Sequence, residues 1–362
     1  MKPGNSSKRS RFLPRMAAAI AGAAFLVPLL AVNLLSQPTA SREVTLTVSA
    51  NDYAAAAAAK NQKIHAWRAH TATGRSTGMA ALSNAPDVAQ PAAPLAAPDS
   101  GGPRYPADLQ YHGGNVVPFV QHHAIYMNPN GRCTISSCWG DPEGFLSDLG
   151  QSTFIHVVDQ YTGGSGPYTV SGTHFTVNYH PNGVPFTDAD MRAIVHAAVL
   201  LTGQTGYGNE YHVFLPPGQD ECFNLGFKVC YSPDDLKTFA FCAYHSSADF
   251  SDVGHVLYSV EPFQDNFGCS SRPDGPNGQL ADSTNNVLSH EVFETITDPD
   301  GTAWWISLNN GMFGEEIGDE CSFLEFTASG VFFDPSDVTL NGKAYIAQPE
   351  YDNLGHACTT AP

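Results

Sequence analysis

The segment that most limits how this chain can fold is Ser289-His290-Glu291-Val292-Phe293-Glu294-Thr295-Ile296-Thr297-Asp298-Pro299, a HExxE pattern closed by a proline. Residues four apart on a helix share a face, with Cβ atoms about 5–6 Å apart. His290 and Glu294 can therefore grip one metal ion while Glu291 addresses a bound water. Asp298 continues the stripe by another turn, and Leu288, Val292, Thr295 and Ile296 form an opposite, largely apolar face. The helix thus has a reason to form without a metal, and the alternative is a polar stripe that simply faces water.

Further ligands have to come from elsewhere. The richest source is Glu315-Glu316-Ile317-Gly318-Asp319-Glu320-Cys321, about 25 residues downstream. Glu316 and Asp319 are three apart and would share a face in a helical turn; Glu316 is the first choice as ligand and Asp319 the second. Hydrolysis at a metal needs ligands that leave one coordination position open, plus a carboxylate that takes a proton from the bound water. That logic assigns His290, Glu294, Glu316 and Asp319 to the metal and Glu291 to the role of general base. In the usual zinc helix the position of Glu294 is a histidine. A carboxylate-rich shell is harder, so Ca²⁺ and Mn²⁺ stand as alternatives behind Zn²⁺.

The N-terminus carries Lys2, Lys8, Arg9, Arg11 and Arg15, followed by an uncharged apolar run from Met16 to Leu35. This is the layout of a secretory signal peptide or a signal anchor, and the expected location is secreted or extracellular, with residues 16–35 as the one means of membrane attachment. Eight cysteines in an exported chain imply disulfides, and local spacing pairs Cys133 with Cys138, Cys222 with Cys230, Cys242 with Cys269 and Cys321 with Cys358. The formal net charge is −18, and after Tyr105 the only bases are Arg132, Arg192, Lys228, Lys237, Arg272 and Lys343. Such a surface repels nucleic acid and anionic membranes.

Residues 41–104 are rich in Ala, Pro, Ser and Thr, include the run Ala54–Ala59, and read as a disordered linker or pro-segment in which Val44–Val48 makes at most one stray strand. Residues 105–362 suit one globular domain. Within it, Asn115–Met127, Thr153–Gln160, Tyr211–Leu215, Thr238–Tyr244 and His255–Val260 read as strands. Asp141–Leu149 reads as a short helix. Thr187-Asp-Ala-Asp190 is a helix start before Met191–Leu201, Gly203 ends that helix, and the motif helix runs from about Ser283 to Thr297. The fold expected is α+β (mixed α/β), a single disulfide-bonded domain with a mixed sheet and a metal-site helix. The order strand, long helix, strands, motif helix is that of the N-terminal half of zincin-type metallopeptidases.

Other polar residues rank lower. His122 and His123 are adjacent on a strand and point to opposite faces, so they make no joint chelate. His245, His255, Tyr244 and Tyr258 are minor candidates near the motif helix, and Trp304 and Trp305 either line a cleft or cap the core. No GxSxG nucleophile elbow or phosphate loop is present.

Several landmarks resemble the exordium-like, phosphate-induced family of secreted proteins. They are Tyr111-His112-Gly113-Gly114-Asn115-Val116, Phe241-Cys242-Ala243-Tyr244-His245, Ser289-His290-Glu291 through Asp298-Pro299, Glu316-Ile317-Gly318-Asp319-Glu320-Cys321, and Gln348-Pro349-Glu350-Tyr351 leading to Cys358. The resemblance implies an extracellular or cell-wall location. Two functions follow from the sequence. One is a secreted zinc-dependent peptidase acting on a peptide or protein substrate through Glu291. The other is a non-catalytic protein, associated with a cell-wall component, with a structural metal.

Overall fold

The computed structural model describes residues 41–61, 64–68, 108–127, 133–164, 166–178, 184–307, 313–322 and 336–362. The leader with its apolar run 16–35, and residues 69–104 of the expected linker, lie outside the described residues. Among those described, no helix is long and apolar enough to cross a membrane.

A mixed sheet is the frame. In spatial order its strands are Arg42–Leu46, Thr173–Val177, Val120–Met127, Asn209–Phe214, Gly254–Glu261, Phe241–Phe250 and Lys60–Asn61, with Tyr168–Val170 also beside Val120–Met127 and His65–Arg68 also beside Phe241–Phe250. The first five run parallel, and Phe241–Phe250 returns antiparallel on Gly254–Glu261. Side chains alternate between the two sides of each strand, and residues in register across strands share a side. One side presents Ile125, Tyr211, Val213, Tyr244, Tyr258 and Val260 to the helix Asp188–Thr202. The other presents Ala124, Tyr126, Phe214 and Leu257 to the motif helix Gln279–Thr297, which answers with Leu288, Val292, Phe293 and Ile296.

Local signals explain the first of these helices. Thr187 and Asp190 form a capping box, with the Thr187 backbone N and hydroxyl both on Asp190 Oδ2 at 2.7 and 2.8 Å. Gly203 ends the helix in the left-handed region at φ 67°. The helix Pro142–Leu149 follows its Asp141 cap in the same way. Thr153–Gln160, by contrast, is not a strand. It folds as a 3-10 turn, Phe154–Val158, running into the helical turn Asp159–Thr162. A β-branched run records a preference for packing on a pleated surface; here Phe154, Val157 and Val158 are buried against the motif helix instead, with the Phe154 and Phe293 rings 4.7 Å apart.

Part of the expected linker also departs from its reading, since residues 42–61 and 64–68 contribute strands and a helix to the sheet layer. Arg42–Leu46 is an edge strand on Thr173–Val177. The alanine run forms the helix Ala50–Ala58, capped by Ser49 and Asp52, and is tied to Asp188–Thr202 by His196 Nδ1 to Asp52 Oδ1 at 2.7 Å and Arg192 Nη1 to the Ala56 carbonyl at 2.7 Å. Composition misleads because this segment builds no core of its own. Alanine is the best helix former, and Leu46, Ala56, Ile64 and Trp67 are buried in a core that later strands supply.

All four expected disulfides are present, Cys133–Cys138, Cys222–Cys230, Cys242–Cys269 and Cys321–Cys358. The C-terminal hairpin Ser336–Leu340/Lys343–Ala347 is held through Asp148, whose buried carboxylate accepts from Asn341 Nδ2 at 3.0 Å, Lys343 Nζ at 2.7 Å and the Tyr345 hydroxyl at 2.6 Å. Burial alone would raise the Asp148 pKa, but these bonds outweigh it and hold it below the usual aspartate value. A depressed folded-state pKa stabilises above the unfolded value and is lost as pH falls through the folded one. Asp148→Asn is expected to cost about 1–3 kcal/mol near neutral pH in urea unfolding, the gap from wild type closing below about pH 4. Lys343→Ala should cost less than about 1 kcal/mol, because its side chain is 62% exposed.

Candidate metal centre

The motif helix does not lie on the surface. Every residue from Asp282 to Thr297 is buried, and His290, Glu291 and Glu294 are at most 1% exposed. The reading of a polar stripe facing water is therefore excluded.

His290 Nε2 and Glu294 Oε1, one turn apart, are 3.0 Å from each other. The Asp319 backbone N donates to the same Glu294 oxygen at 3.2 Å. Donor atoms of His290, Glu294 and Asp319 all lie within 4.8 Å of one another. Glu316 sits in an adjoining group with His65 and His245, pairing with His65 Nδ1 and standing 3.5 Å from His245 Nε2. It is thus Asp319 that meets the His290–Glu294 pair. Glu316 and Asp319 diverge because the helical turn begins only at Asp319. His245 bridges the two groups, with Nδ1 at 3.2 Å from Glu291 Oε2 and 3.5 Å from Glu294 Oε2.

Strand register explains how these residues meet. His245 pairs directly with His65, and Ala243 with Trp67, so His65, Trp67 and His245 share the side that faces the motif helix. The rings of His65 and His245 stack at 5.3 Å, and Trp67 stacks on His290 at 4.7 Å. On the far side, the backbone at Gly318 runs so close to His290 that any Cβ there would collide with the imidazole. Gln348 Nε2 holds the Gly318 carbonyl at 2.8 Å, and Cys321–Cys358 anchors the same turn. Glu350 is fully buried beside Gln348, and its charge is felt alongside those of Glu294 and Asp319.

The electrostatics follow from burial. Desolvation, then the charges of Glu294, Glu261 and Asp319, raise Glu291 well above the glutamate range. Desolvation pushes Glu294 up to about 8 despite backbone N–H groups from Asp319 and Gly318. Glu316 and Glu350 are raised for the same first reason, and burial beside His65 drives His245 well below the histidine range. Among the described residues, every ion pair made by Glu291, Glu294 and Glu316 is with a histidine. Buried carboxylates of this density are stable only if protonated or held by a cation.

The lesser candidates separate cleanly. Tyr244 and Tyr258 lie on the opposite side of the sheet, both hydroxyls donating to Asp188 Oδ1 at 3.2 and 2.6 Å. His255 engages Asp249 at 2.8 Å and Asp300 at 3.3 Å. Asp298 is the C-terminal cap of the motif helix, its Oδ1 accepting the Thr302 and Ala303 backbone N–H groups at 2.6 Å each. Trp304 Nε1 donates to the Tyr161 carbonyl at 2.8 Å, and Trp305 stacks on His112 at 3.7 Å. His122 and His123 do point to opposite sides; His123 stacks on Tyr211 at 4.6 Å, while His122 meets His212.

No family model, no curated protein and no solved structure matches the chain. The site therefore rests on its own geometry. Sequence reasoning missed His65, Trp67 and Glu350. His65 and Trp67 lie in the segment whose composition reads as a linker, and Ile64-His-Ala-Trp-Arg68 carries no clear strand alternation. Trp67→Ala removes a ring that is 3% exposed and is expected to cost about 3–5 kcal/mol in denaturant unfolding. A cost below about 1 kcal/mol would return this segment to the role of a spacer.

Proposed function

We propose that this chain is a secreted metalloprotein in which His290, Glu294 and Asp319 hold one divalent cation, and that it acts as a metal-dependent hydrolase of peptide bonds on a zincin-like plan. The observation that carries the reading is the burial of His290, Glu291, Glu294 and Glu316 at 1% exposure or less, in a nest where no lysine or arginine pairs with the carboxylates among the described residues. A cation is the charge that such a donor set fits. His65 and His245 add nitrogen donors beside His290, which favours zinc over Ca²⁺ or Mn²⁺. The four disulfides suit an oxidising, extracellular setting.

A bound divalent ion supplies Lewis acidity, polarising a carbonyl and making water easier to deprotonate. The chain's own contribution is the proton path. Glu291 follows His290 on the helix, its Oε2 is 3.2 Å from His245 Nδ1 and the Trp67 backbone N–H meets its carboxyl, which places it beside the donor set as the group to take up a proton and return it. His245 lies between Glu291 and Asp298, with Nδ1 3.2 Å from Glu291 Oε2 and Nε2 3.4 Å from the Asp298 carbonyl, and burial keeps it from serving as the base.

The completeness of the burial favours a second reading, a non-catalytic extracellular or wall-associated protein with a closed structural metal, which fits the exordium-like resemblance equally well. Elemental analysis and peptide turnover on the purified full chain separate the two. For the hydrolase, Glu294→Gln loses one zinc equivalent, and Glu291→Gln keeps it while turnover falls at least about 100-fold. Retention of that zinc in Glu294→Gln sinks the metal site; unchanged turnover in Glu291→Gln sinks the mechanism.

A further inference from the structure

A second group of donors lies outside the motif. We propose that His122, Glu210 and His212 form a separate structural site for one zinc-class divalent cation, between the central parallel strands and the motif helix.

The placement follows from register. His122 on Val120–Met127 pairs with Glu210 on Asn209–Phe214, and His212 lies two residues further along, so all three point to the side facing the motif helix. They are 2%, 0% and 0% exposed. His122 Nδ1 is 2.9 Å from His212 Nε2 and 3.2 Å from Glu210 Oε2, and His212 Nε2 is 3.7 Å from the same oxygen. Ligands at about 2.0–2.1 Å from a tetrahedral zinc lie about 3.3–3.4 Å from one another, which these three separations bracket.

The hydrogen bonding points the same way. Ser259 Oγ lies 2.9 Å from Glu261 Oε1 and 2.8 Å from His212 Nδ1. In the tautomer that carries its proton on Nδ1, His212 donates to Ser259 and turns the Nε2 lone pair toward His122 and Glu210. That is the arrangement by which an outer hydrogen bond orients a metal-ligating imidazole. Glu210 adds the carboxylate: it is fully buried, it is met by His122 and by the Thr295 hydroxyl of the motif helix, and no lysine or arginine pairs with it among the described residues. The three residues supply one carboxylate and two imidazole nitrogens at 2% exposure or less, which leaves no opening for a substrate and makes the site structural.

The test uses the full chain, stripped of metal and reloaded with Zn²⁺ or Co²⁺ alone. Two equivalents are expected. Glu294→Gln should lose one and keep a Co²⁺ centre with the intense visible absorption of a four-coordinate site, while the isosteric Glu210→Gln loses the other. Ser259→Ala, which leaves the three donors in place, should weaken the second equivalent about 10–100-fold. A wild-type chain that binds one equivalent, all of it lost in Glu294→Gln, overturns this site and leaves the motif site standing. One equivalent retained in Glu294→Gln and lost in Glu210→Gln upholds this site and removes the other. Should Glu210→Gln fail to fold, the wild-type and Glu294→Gln counts with the Ser259→Ala affinity decide.

Discussion

The rest of the structure is arranged around a helix that is polar along one face and buried along all of them. A helix of this composition normally turns its polar stripe to water, and hiding it exposes His290, Glu291 and Glu294 to the full cost of desolvation. Each neighbouring element responds to that cost. The strand Phe241–Phe250 brings His245, the short strand His65–Arg68 brings His65 and Trp67, and the turn at Gly318 brings Asp319 and a backbone N–H. The Cys321–Cys358 disulfide and Gln348 hold that turn against the helix.

The two sides of the sheet handle buried charge differently. On the side of Asp188–Thr202, Asp188 is 1% exposed but fully served, by Arg192 at 2.9 Å, the Tyr258 hydroxyl at 2.6 Å and Asn61 at 2.8 Å. Its charge is stabilised by a cationic side chain and three neutral donors, the Tyr244 hydroxyl at 3.2 Å being the third. On the side of the motif helix the carboxylates of Glu210, Glu291, Glu294 and Glu316 meet imidazoles and one another. A structure with Tyr244 and Tyr258 on one side, and His245 and His212 on the other, owes the difference to strand parity alone.

How much could be read in advance depended on whether a signal was local. The capping box at Thr187–Asp190, the Gly203 stop, the Asp141 cap and the four cysteine pairings are short-range features, and they survive in the structure because backbone geometry settles them within a few residues. Thr153–Gln160 failed because β-branched residues respond to whatever surface they are packed on. The segment from Ser41 to Arg68 failed because its alanine-rich composition says nothing of a core supplied from elsewhere. The motif donors were legible as residue types at helical spacing; their partners His65 and Glu350 were not, being 225 residues before and 60 after His290 in the chain.

By itself the sequence determined the motif helix and its donor spacing, the acidic turn at Glu316–Asp319, the export-like leader and the cystine framework, since each depends on neighbours along the chain. Only the tertiary structure decided that the stripe is buried, that Asp319 rather than Glu316 meets His290 and Glu294, and that His65 and His245 join the one histidine the helix carries at this centre. It also decided that His122, Glu210 and His212 converge. Register between strands far apart in sequence places those donors, and no local pattern encodes it.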